Sequence, residues 1–146
     1  GTHDKETTPC VKLYRSDNSD TGLSFHGVPG GHEFTSFVLG IYNASGPGQE
    51  LAEDIRARIQ AINKPVDIKI LVTLSCSMCP DLVIAAQHMA AVNEGVTAEI
   101  YDVLHFEKLR NKYKVMSVPC MVINDKYVSF GKMNLPQLLE VVEGVV

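Results

Sequence analysis

The sequence predicts an α/β fold that is arranged around a pair of cysteines. A buried strand is predicted at 67–74 because residues 68–74 form an apolar run, and after Ser75 come the motif Cys76-Ser77-Met78-Cys79 and then a helical pattern. From Val66 onward, apolar runs and turn formers alternate in the order βαβαββα. Residues 9–64 resemble the end of that order, because a hairpin is followed by a helix. They therefore indicate an incomplete first copy of one fold.

The first part of the chain predicts a short tail, two strands and two helices. Residues 1–8 are the tail, and the strands are predicted at 9–15 and 23–28 because residues 16–22 are dense in turn formers. One apolar face of the first helix is formed by Phe34, Phe37, Val38 and Ile41. The second helix is predicted to start at Gly46-Pro47-Gly48 and to end at Asn63-Lys64-Pro65, with one apolar face formed by Leu51, Ile55, Ile59 and Ile62.

The second part predicts four strands and three helices. Its strands are expected at 67–74, 96–103, 118–123 and 127–130. Its helices are expected after Pro80, around Leu109 and after Asn134, which is a favourable N-cap residue. One apolar face of the helix after Pro80 is formed by Leu82, Ala85, Ala86, Met89 and Val92.

The composition of this 146-residue chain excludes several classes of function. Its net charge is −4 and it has no basic cluster interleaved with aromatic residues, so nucleic acid is not an expected partner. It has no run of about 18 apolar residues, so no membrane-spanning helix is predicted. Four cysteines are too few for a secreted fold held together by disulfides, whereas one Cys-x-x-Cys beside a βα pattern is typical of a redox site.

The two cysteines of that motif are the main candidates for chemistry. Thiols at i and i+3 in a first helical turn are close enough to form a disulfide, and the helix N-terminus favours the Cys76 thiolate. That thiolate would attack a disulfide, and the more buried Cys79 would resolve the mixed disulfide. Two other interpretations stay open. The cysteines could be structural, or they could be half of a zinc site, for which His88 and His105 lack the ligand spacing.

A proline lies 43 residues after Cys76, at the start of a predicted strand. The Val118-Pro119 bond could be cis, which would expose backbone groups to a docked partner, or trans, which would only mark the strand start. Cys120 follows this proline and is expected near the dithiol. A structural role is nevertheless favoured for Cys120 and for Cys10, because free buried cysteines are common.

One acidic residue is a further candidate. Glu33 lies in the first turn of the first predicted helix, within Gly30-Gly31-His32-Glu33-Phe34. A carboxylate at this place interacts favourably with the helix dipole, which is the simplest interpretation. The alternative is a base that accepts a cysteine proton, a role that His32 fits less well.

Three stretches together resemble the N-terminal domain of the flavoprotein subunit of alkyl hydroperoxide reductases. They are LVTLSCSMCPDLVIAAQHMAAV at 71–92, GHEFTSFVL at 31–39, and VPCMV at 118–122 with the closing GKM at 131–133. The similarity runs roughly from Cys10 to Val142. The combination of Cys-x-x-Cys-Pro-Asp-Leu-Val with Gly-His-Glu-Phe-Thr-Ser makes it specific.

The resemblance implies two thioredoxin-like folds fused into one body. The first half, at 9–64, would be incomplete and without a dithiol, and the second half, at 65–146, would be complete. Cys76 would then attack and Cys79 would resolve. Pro119 would be cis, with Val118 and Cys120 beside it where a partner docks. Glu33 would lie beside the dithiol and handle a proton or tune a thiol pKa.

The resemblance also implies a function. The chain would be a cytoplasmic protein-disulfide oxidoreductase that relays electrons from a thioredoxin-reductase-like flavoprotein dithiol to a downstream disulfide, with a peroxiredoxin as the expected acceptor. It is expected to bind no metal, because there is no second Cys-x-x-Cys to complete a zinc site. It is expected to bind no cofactor itself, because it contains no Gly-x-Gly-x-x-Gly; FAD and NAD(P)H would belong to a partner or to a missing domain.

Two features depart from the family. The pair Ser77-Met78 between the cysteines is not typical of the family. Cys120 stands where the family usually has a threonine-like residue, so a third thiol could form an off-pathway disulfide. Two alternative functions stay open, namely a thioredoxin-like binding module and a disulfide oxidase or isomerase.

Overall fold

The computed structural model describes residues 8–146, which contain six strands and five α-helices. The predicted tail at 1–8 therefore lies almost entirely outside the described residues. The strands are β1 (Cys10–Tyr14), β2 (Asp20–His26), β3 (Val66–Val72), β4 (Val96–Asp102), β5 (Cys120–Ile123) and β6 (Tyr127–Phe130). The helices are α1 (Phe34–Ser45), α2 (Glu53–Gln60), α3 (Cys79–Val92), α4 (Glu107–Lys112) and α5 (Leu135–Val145), and a 3-10 turn at Gly31–Glu33 precedes α1.

All six strands belong to one sheet in the order β1-β2-β4-β3-β5-β6. The three neighbours β2, β4 and β3 are parallel, whereas β1, β5 and β6 each run antiparallel to the strand that they join. Since β2, β3 and β4 run in the same direction, their carboxyl ends meet at one edge of the sheet. The segments that follow β2 and β3 carry Glu33 and the two cysteines, so the topology brings these candidates to the same edge.

The apolar side chains of the sheet form a separate cluster on each face, because successive side chains of a strand point to opposite faces. On one face, Ile68 and Ile70 pack with Leu23 and Phe25 beneath α3 and α5. On the other face, a smaller cluster surrounds Leu71. The first cluster takes residues from both predicted halves, and the division of the chain between residues 64 and 65 stays a prediction.

The element order predicted for the second half is confirmed. The face of α3 that was expected to be apolar is buried at Leu82, Ala85, Ala86 and Met89. Asn134 caps α5 as predicted: its side chain accepts a hydrogen bond from Gln137 N, and the Gln137 side chain accepts one from Asn134 N, both at 2.9 Å. Within residues 8–146, no helix combines the length and the apolar character needed to cross a membrane.

The apolar face predicted for α1 is wrong at three of its four residues, whereas Phe37 packs partly against the core as predicted. Phe34, Val38 and Ile41 are 59, 45 and 40% exposed, whereas the buried residues of the helix are Ser36 and Gly40. The reason is the close approach of α1 to α3, since a Cβ on Gly40 would lie 2.7 Å from the side-chain oxygen of a glutamine on α3. Small residues permit this approach, so Ser36 and Gly40 face α3, while three of the four predicted apolar side chains stay exposed.

The second helix is confirmed, but it starts later than predicted. It begins at Glu53 rather than at Gly46-Pro47-Gly48, so Leu51 lies in the preceding loop. Ile59 is fully buried in the core, and Ile55 and Ile62 pack partly against it. The first turn of α2 carries Glu53 and the last carries Arg58, which is the charge order that the helix dipole favours.

Candidate active site

The two cysteines of the motif are joined in a disulfide at the turn between β3 and α3. Their Cα atoms are 5.6 Å apart, which is within the usual range for a disulfide. Cys79 is fully buried and Cys76 is half-buried. The sulfur of Cys76 is therefore the one that a partner thiolate can reach.

The sequence-based placement of both cysteines in a first helical turn is wrong. The helix begins at Cys79, with Met78 as its N-cap and Pro80 directly after, so Cys76 precedes the helix. The position of Pro80 is the physical reason. Proline lacks an N–H group and is favoured only in the first helical turn, where that group would have no intrahelical partner.

The segment before β5 faces Cys76. The Val118–Pro119 peptide bond is cis, which confirms the prediction from the resemblance. Cys76 Sγ lies 3.9 Å from the carbonyl oxygen of Val118. In the disulfide this sulfur carries no hydrogen, so the contact becomes a weak S–H···O hydrogen bond only after reduction.

The 3-10 turn that carries Glu33 is attached to the segment that leads to the dithiol. His32 N donates a hydrogen bond of 2.9 Å to Leu74 O, two residues before Cys76. Gly31 has a φ of +53°, and a Cβ at this position would lie only 2.6 Å from the same oxygen. The close approach of the two backbones therefore requires glycine.

Glu33 lies on a 3-10 turn that packs against α3. Helices α1 and α3 each follow one of the parallel strands, so they run in the same direction, and Gly40 faces Gln87 between them. Glu33 is seven residues before Gly40, and residue 80 is seven residues before Gln87. On this count the 3-10 turn that carries Glu33 lies nearest the N-terminal part of α3, and the turn packs against that helix.

The carboxyl group of Glu33 is fully buried. Ser36 Oγ donates a hydrogen bond of 2.6 Å to its Oε1, and Oε2 has no hydrogen-bond partner among residues 8–146. Burial raises the pKa of Glu33, and the hydrogen bond from Ser36 opposes that increase. A carboxylate that only favoured the helix dipole would be expected at the surface, so the burial supports the alternative role.

The other two cysteines are not part of the disulfide. Cys120 follows two residues after Val118, whose carbonyl oxygen lies 3.9 Å from Cys76 Sγ, but its side chain belongs to the cluster around Leu71, whereas Cys79 belongs to the cluster on the opposite face of the sheet. The reason is the alternation of side chains along β5. Burial raises the pKa of the Cys120 thiol to about 11. At neutral pH it is therefore protonated and unreactive.

A disulfide between Cys10 and Cys120 is excluded by the sheet. Cys10 lies in the edge strand β1 and Cys120 lies in β5, four strand positions away. With about 4.8 Å between strands, the separation is far beyond the roughly 7 Å that a disulfide allows. Cys10 instead lies beside His26, with 3.9 Å between Sγ and Nε2.

In the part of the chain that the structure describes, no group of three or more His, Cys, Asp or Glu residues is arranged to hold a metal ion. His88 is buried in α3, where burial lowers its pKa. His105 lies beside Asp102, with 3.9 Å between the ring nitrogen and the carboxylate.

Sequence analysis missed two residues of this site. Ser36 was not singled out, although its spacing of three residues from Glu33 is the spacing at which helical side chains meet. Gly31 was quoted in a motif, but its contact with Leu74 joins segments that are 43 residues apart in the chain and could not be foreseen.

A disulfide between cysteines spaced as Cys-x-x-Cys, at the turn from a buried strand into a helix, defines this chain as a thiol–disulfide oxidoreductase domain. The chain belongs to the family of thioredoxin domains, whose family model matches residues 66–143, more than half of its length.

Relatives and solved structures confirm the resemblance to the alkyl hydroperoxide reductase flavoprotein subunit and the thioredoxin-like fold. The AhpF subunit of alkyl hydroperoxide reductase from Pseudomonas putida is 33% identical over 90% of this chain and 25% of its own length. A protein of Ferdinandcohnia aciditolerans named NADH dehydrogenase is 31% identical over 92% of this chain and 26% of its own length. The chain thus spans about a quarter of the length of the curated relatives that it matches.

Two solved structures extend the comparison. The NTD_N/C domain of alkyl hydroperoxide reductase AhpF from Enterococcus faecalis superimposes with a TM-score of 0.88 and 38% identity, over 93% of this chain and 65% of that one. A protein disulfide oxidoreductase from Aeropyrum pernix gives a TM-score of 0.80 and 26% identity, over 94% of this chain and 60% of that one.

The contact between Gly31 and Leu74 leads to a first prediction. Gly31→Ala should lower the free energy of unfolding by about 1–3 kcal/mol, because a Cβ is strained at a positive φ and meets Leu74 O. Gly30→Ala is the matched control. Gly30 is extended, with the nearest atom to its added Cβ at 3.9 Å, and should change stability by less than about 0.5 kcal/mol. Urea unfolding of both variants measures the difference, and equal losses would contradict the assignment.

The buried carboxyl leads to a second prediction. Because burial raises the pKa of Glu33 in the folded state, the associated stability is fully present below the ordinary glutamate pKa and is lost as pH rises through the folded value. Glu33→Gln should therefore match the wild type near pH 4 and become the more stable protein as pH rises to 8. The measurement is urea unfolding at several pH values, with Glu94→Gln as the control at an exposed position. A difference that does not change with pH would contradict the prediction.

Proposed function

We propose that this chain relays electrons from a thioredoxin-reductase-like flavoprotein dithiol to a downstream disulfide, that of a peroxiredoxin, through Cys76 and Cys79. The observation that carries the proposal is the disulfide itself. It joins a reachable Cys76 to a fully buried Cys79, and the Val118–Pro119 segment faces the reachable sulfur.

The proposed reduction step begins at Cys76. A thiolate of the donor attacks Cys76 Sγ, the Cys76–Cys79 bond breaks, and Cys79 leaves as a thiolate that takes up a proton. The second thiolate of the donor then attacks the other donor sulfur, which is joined to Cys76 in the mixed disulfide, and Cys76 is released as a thiolate. Two electrons have entered the chain, and the donor has become a disulfide.

Delivery to the acceptor reverses these roles. The Cys76 thiolate attacks a sulfur of the acceptor disulfide, and one acceptor cysteine leaves as a thiolate. Cys79 then loses its proton and attacks Cys76 Sγ, so that the original disulfide forms again and the second acceptor cysteine is released. The position of Cys76 just before α3 supports its role as attacker, because the N–H groups and dipole of the helix favour a nearby thiolate.

Glu33 is proposed as the group that takes the proton from Cys79 and returns it. Cys79 is fully buried, so water has little access to its thiol. A carboxyl with a raised pKa is suited to this exchange, because a proton acceptor works best when its pKa is close to the working pH. The packing of its 3-10 turn against α3 supports this role, because Cys79 is the first residue of that helix.

The partner is proposed to dock on Val118 and Pro119, with Cys120 continuing the same segment into β5. The side chain of Cys120 faces the other side of the sheet, so its contribution would come from its backbone. Two exposed methionines border this segment and the dithiol, namely Met116 and Met78. Methionine adapts to varied apolar surfaces, and exposed apolar side chains here favour a protein as the partner.

The flavin and the nicotinamide are proposed to belong to the donor. The relatives named as the AhpF subunit of alkyl hydroperoxide reductase support a donor of this kind, since most of their length lies beyond the part that this chain matches. The compartment proposed for the relay is the reducing cytoplasm, where a dithiol carrier can be kept reduced.

A third prediction tests the assigned roles of the cysteines. Cys76→Ser should abolish electron transfer, because no sulfur can then form the mixed disulfide, while Cys79→Ser should trap that mixed disulfide. Cys10→Ser is the control, because Cys10 lies in the edge strand and does not take part. The measurements are peroxide-dependent NADH or NADPH oxidation with a flavoprotein donor and a peroxiredoxin, and mass spectrometry of trapped thiols. Full electron transfer by Cys76→Ser would contradict the relay and would favour the binding module.

A fourth prediction distinguishes the relay from an oxidase or isomerase. The reduction potential of the Cys76–Cys79 pair should lie at about −200 to −270 mV, in the range of reducing carriers. Equilibration with dithiothreitol or glutathione buffers, followed by thiol trapping, measures it. A value near −120 mV would mark an oxidant.

A further inference from the structure

Ser36 has an unusual pair of hydrogen-bond acceptors. Its Oγ is fully buried and lies 2.6 Å from Glu33 Oε1 and 2.9 Å from the main-chain oxygen of Glu33. A serine hydroxyl has one proton, so it donates fully to one of these oxygens at a time. The preferred acceptor is set by the charge of the carboxyl.

The charge of Glu33 decides between the two arrangements. When Glu33 is ionised, a hydrogen bond to its carboxylate is charge-assisted and stronger than one to a neutral carbonyl, so the hydroxyl donates to Oε1. When Glu33 is protonated, that advantage disappears, and the hydroxyl can turn to the main-chain oxygen. In both states the buried hydroxyl proton has an acceptor, which avoids the cost of an unsatisfied polar group.

An ordinary helical serine provides the comparison. Serine in a helix often donates to a main-chain oxygen one turn earlier. Ser45, in the last turn of the same helix, does this with Ile41 O at 2.7 Å, but it is exposed and no carboxylate is bonded to it in the described structure. Ser36 therefore differs from Ser45 in its burial and in its second acceptor.

We propose that Ser36 is a positioning residue for the thiol–disulfide exchange: it holds Glu33 Oε1 so that Oε2 is the oxygen that accepts the proton of Cys79. This inference rests on the proposed function, in which Glu33 handles that proton. It uses the observation that Oε2 is buried and has no hydrogen-bond partner within residues 8–146. An oxygen already engaged by a donor is a poorer proton acceptor than one that is not.

The step balances in atoms and charge. The proton of Cys79 passes to Glu33 Oε2, and the Cys79 sulfur attacks Cys76 Sγ in the mixed disulfide. The new Cys76–Cys79 bond forms as the bond to the acceptor sulfur breaks, and the acceptor leaves with the electron pair as a thiolate. The negative charge has moved from Glu33 to the acceptor, and the Ser36 hydroxyl is released from Oε1.

The test combines two measurements on Ser36→Ala. The first is the titration of the Glu33 carboxyl carbon by ¹³C NMR, assigned with Glu33→Gln. The second is the reaction of the reduced protein with 5,5′-dithiobis(2-nitrobenzoate), carried out in a Cys10→Ser background because Cys10 is an exposed free thiol. In this background the second equivalent of thionitrobenzoate reports the attack by Cys79. Ser45→Ala is the matched control, and Ser36→Thr restores a hydroxyl.

The expected result is a joint shift. Loss of the hydroxyl donor should raise the pH at which Glu33 titrates by about one to two units, since hydrogen bonds to charged groups contribute about 1.5–3 kcal/mol. The second release of thionitrobenzoate slows at low pH, and this decline, the acid limb, should move upward by the same amount. Ser45→Ala should move neither, and Ser36→Thr should reverse most of the shift. In a Glu33→Gln background the acid limb should be absent, and adding Ser36→Ala should change nothing further.

The contrary outcomes separate the two proposals. An unchanged Glu33 titration in Ser36→Ala would overturn the role of Ser36 and leave that of Glu33 intact. If the Glu33 titration shifts but the acid limb of the thiol reaction does not, Ser36 does not act on the proton step, which also overturns the inference. An acid limb that survives in Glu33→Gln would instead overturn the proposed role of Glu33, while disulfide exchange by the cysteines would stand.

Discussion

The active site depends on one backbone contact, that between the 3-10 turn at Gly31–Glu33 and the carbonyl of Leu74. The turn follows β2 and Leu74 follows β3, and these strands end at the same edge of the sheet because they are parallel with β4 between them. The hydrogen bond from His32 N to Leu74 O joins the two segments. A side chain at residue 31 would separate the two segments, and the position of Glu33 relative to the dithiol would be lost.

Next to this contact a carboxyl is buried, although its burial is unfavourable. Glu33 receives one hydrogen bond from Ser36, and burial raises its pKa. This unfavourable burial occurs where the 3-10 turn before α1 packs against α3. The 3-10 turn that carries this carboxyl packs against α3, the helix that begins at the buried Cys79, so a segment of the first part of the chain borders the dithiol helix.

The local sequence pattern predicted the second half well, because its elements show regular patterns of apolar residues and a clear capping residue. The strand before the cysteines, the apolar face of α3 and the cap at Asn134 each depend on residues close in sequence. The first half was predicted less well. Its helix α1 shows a regular apolar period, but contact with α3 decides which face is buried, and that contact selects Ser36 and Gly40 rather than Val38 and Ile41. Similarly, the pleat of β5 directs the Cys120 side chain away from the dithiol.

The α/β class, the redox motif, the family resemblance and the candidate status of Glu33 all follow from the amino-acid sequence, because motif spacing and hydrophobic period are local properties of the chain. Three other facts required the folded molecule: Cys76 lies outside the helix, Cys10 and Cys120 are too far apart to be bridged, and Ser36 bonds a buried carboxyl. They depend on where α3 begins, on the order of strands in the sheet and on the distance between α1 and α3. The last two are set by packing between segments that are remote in sequence.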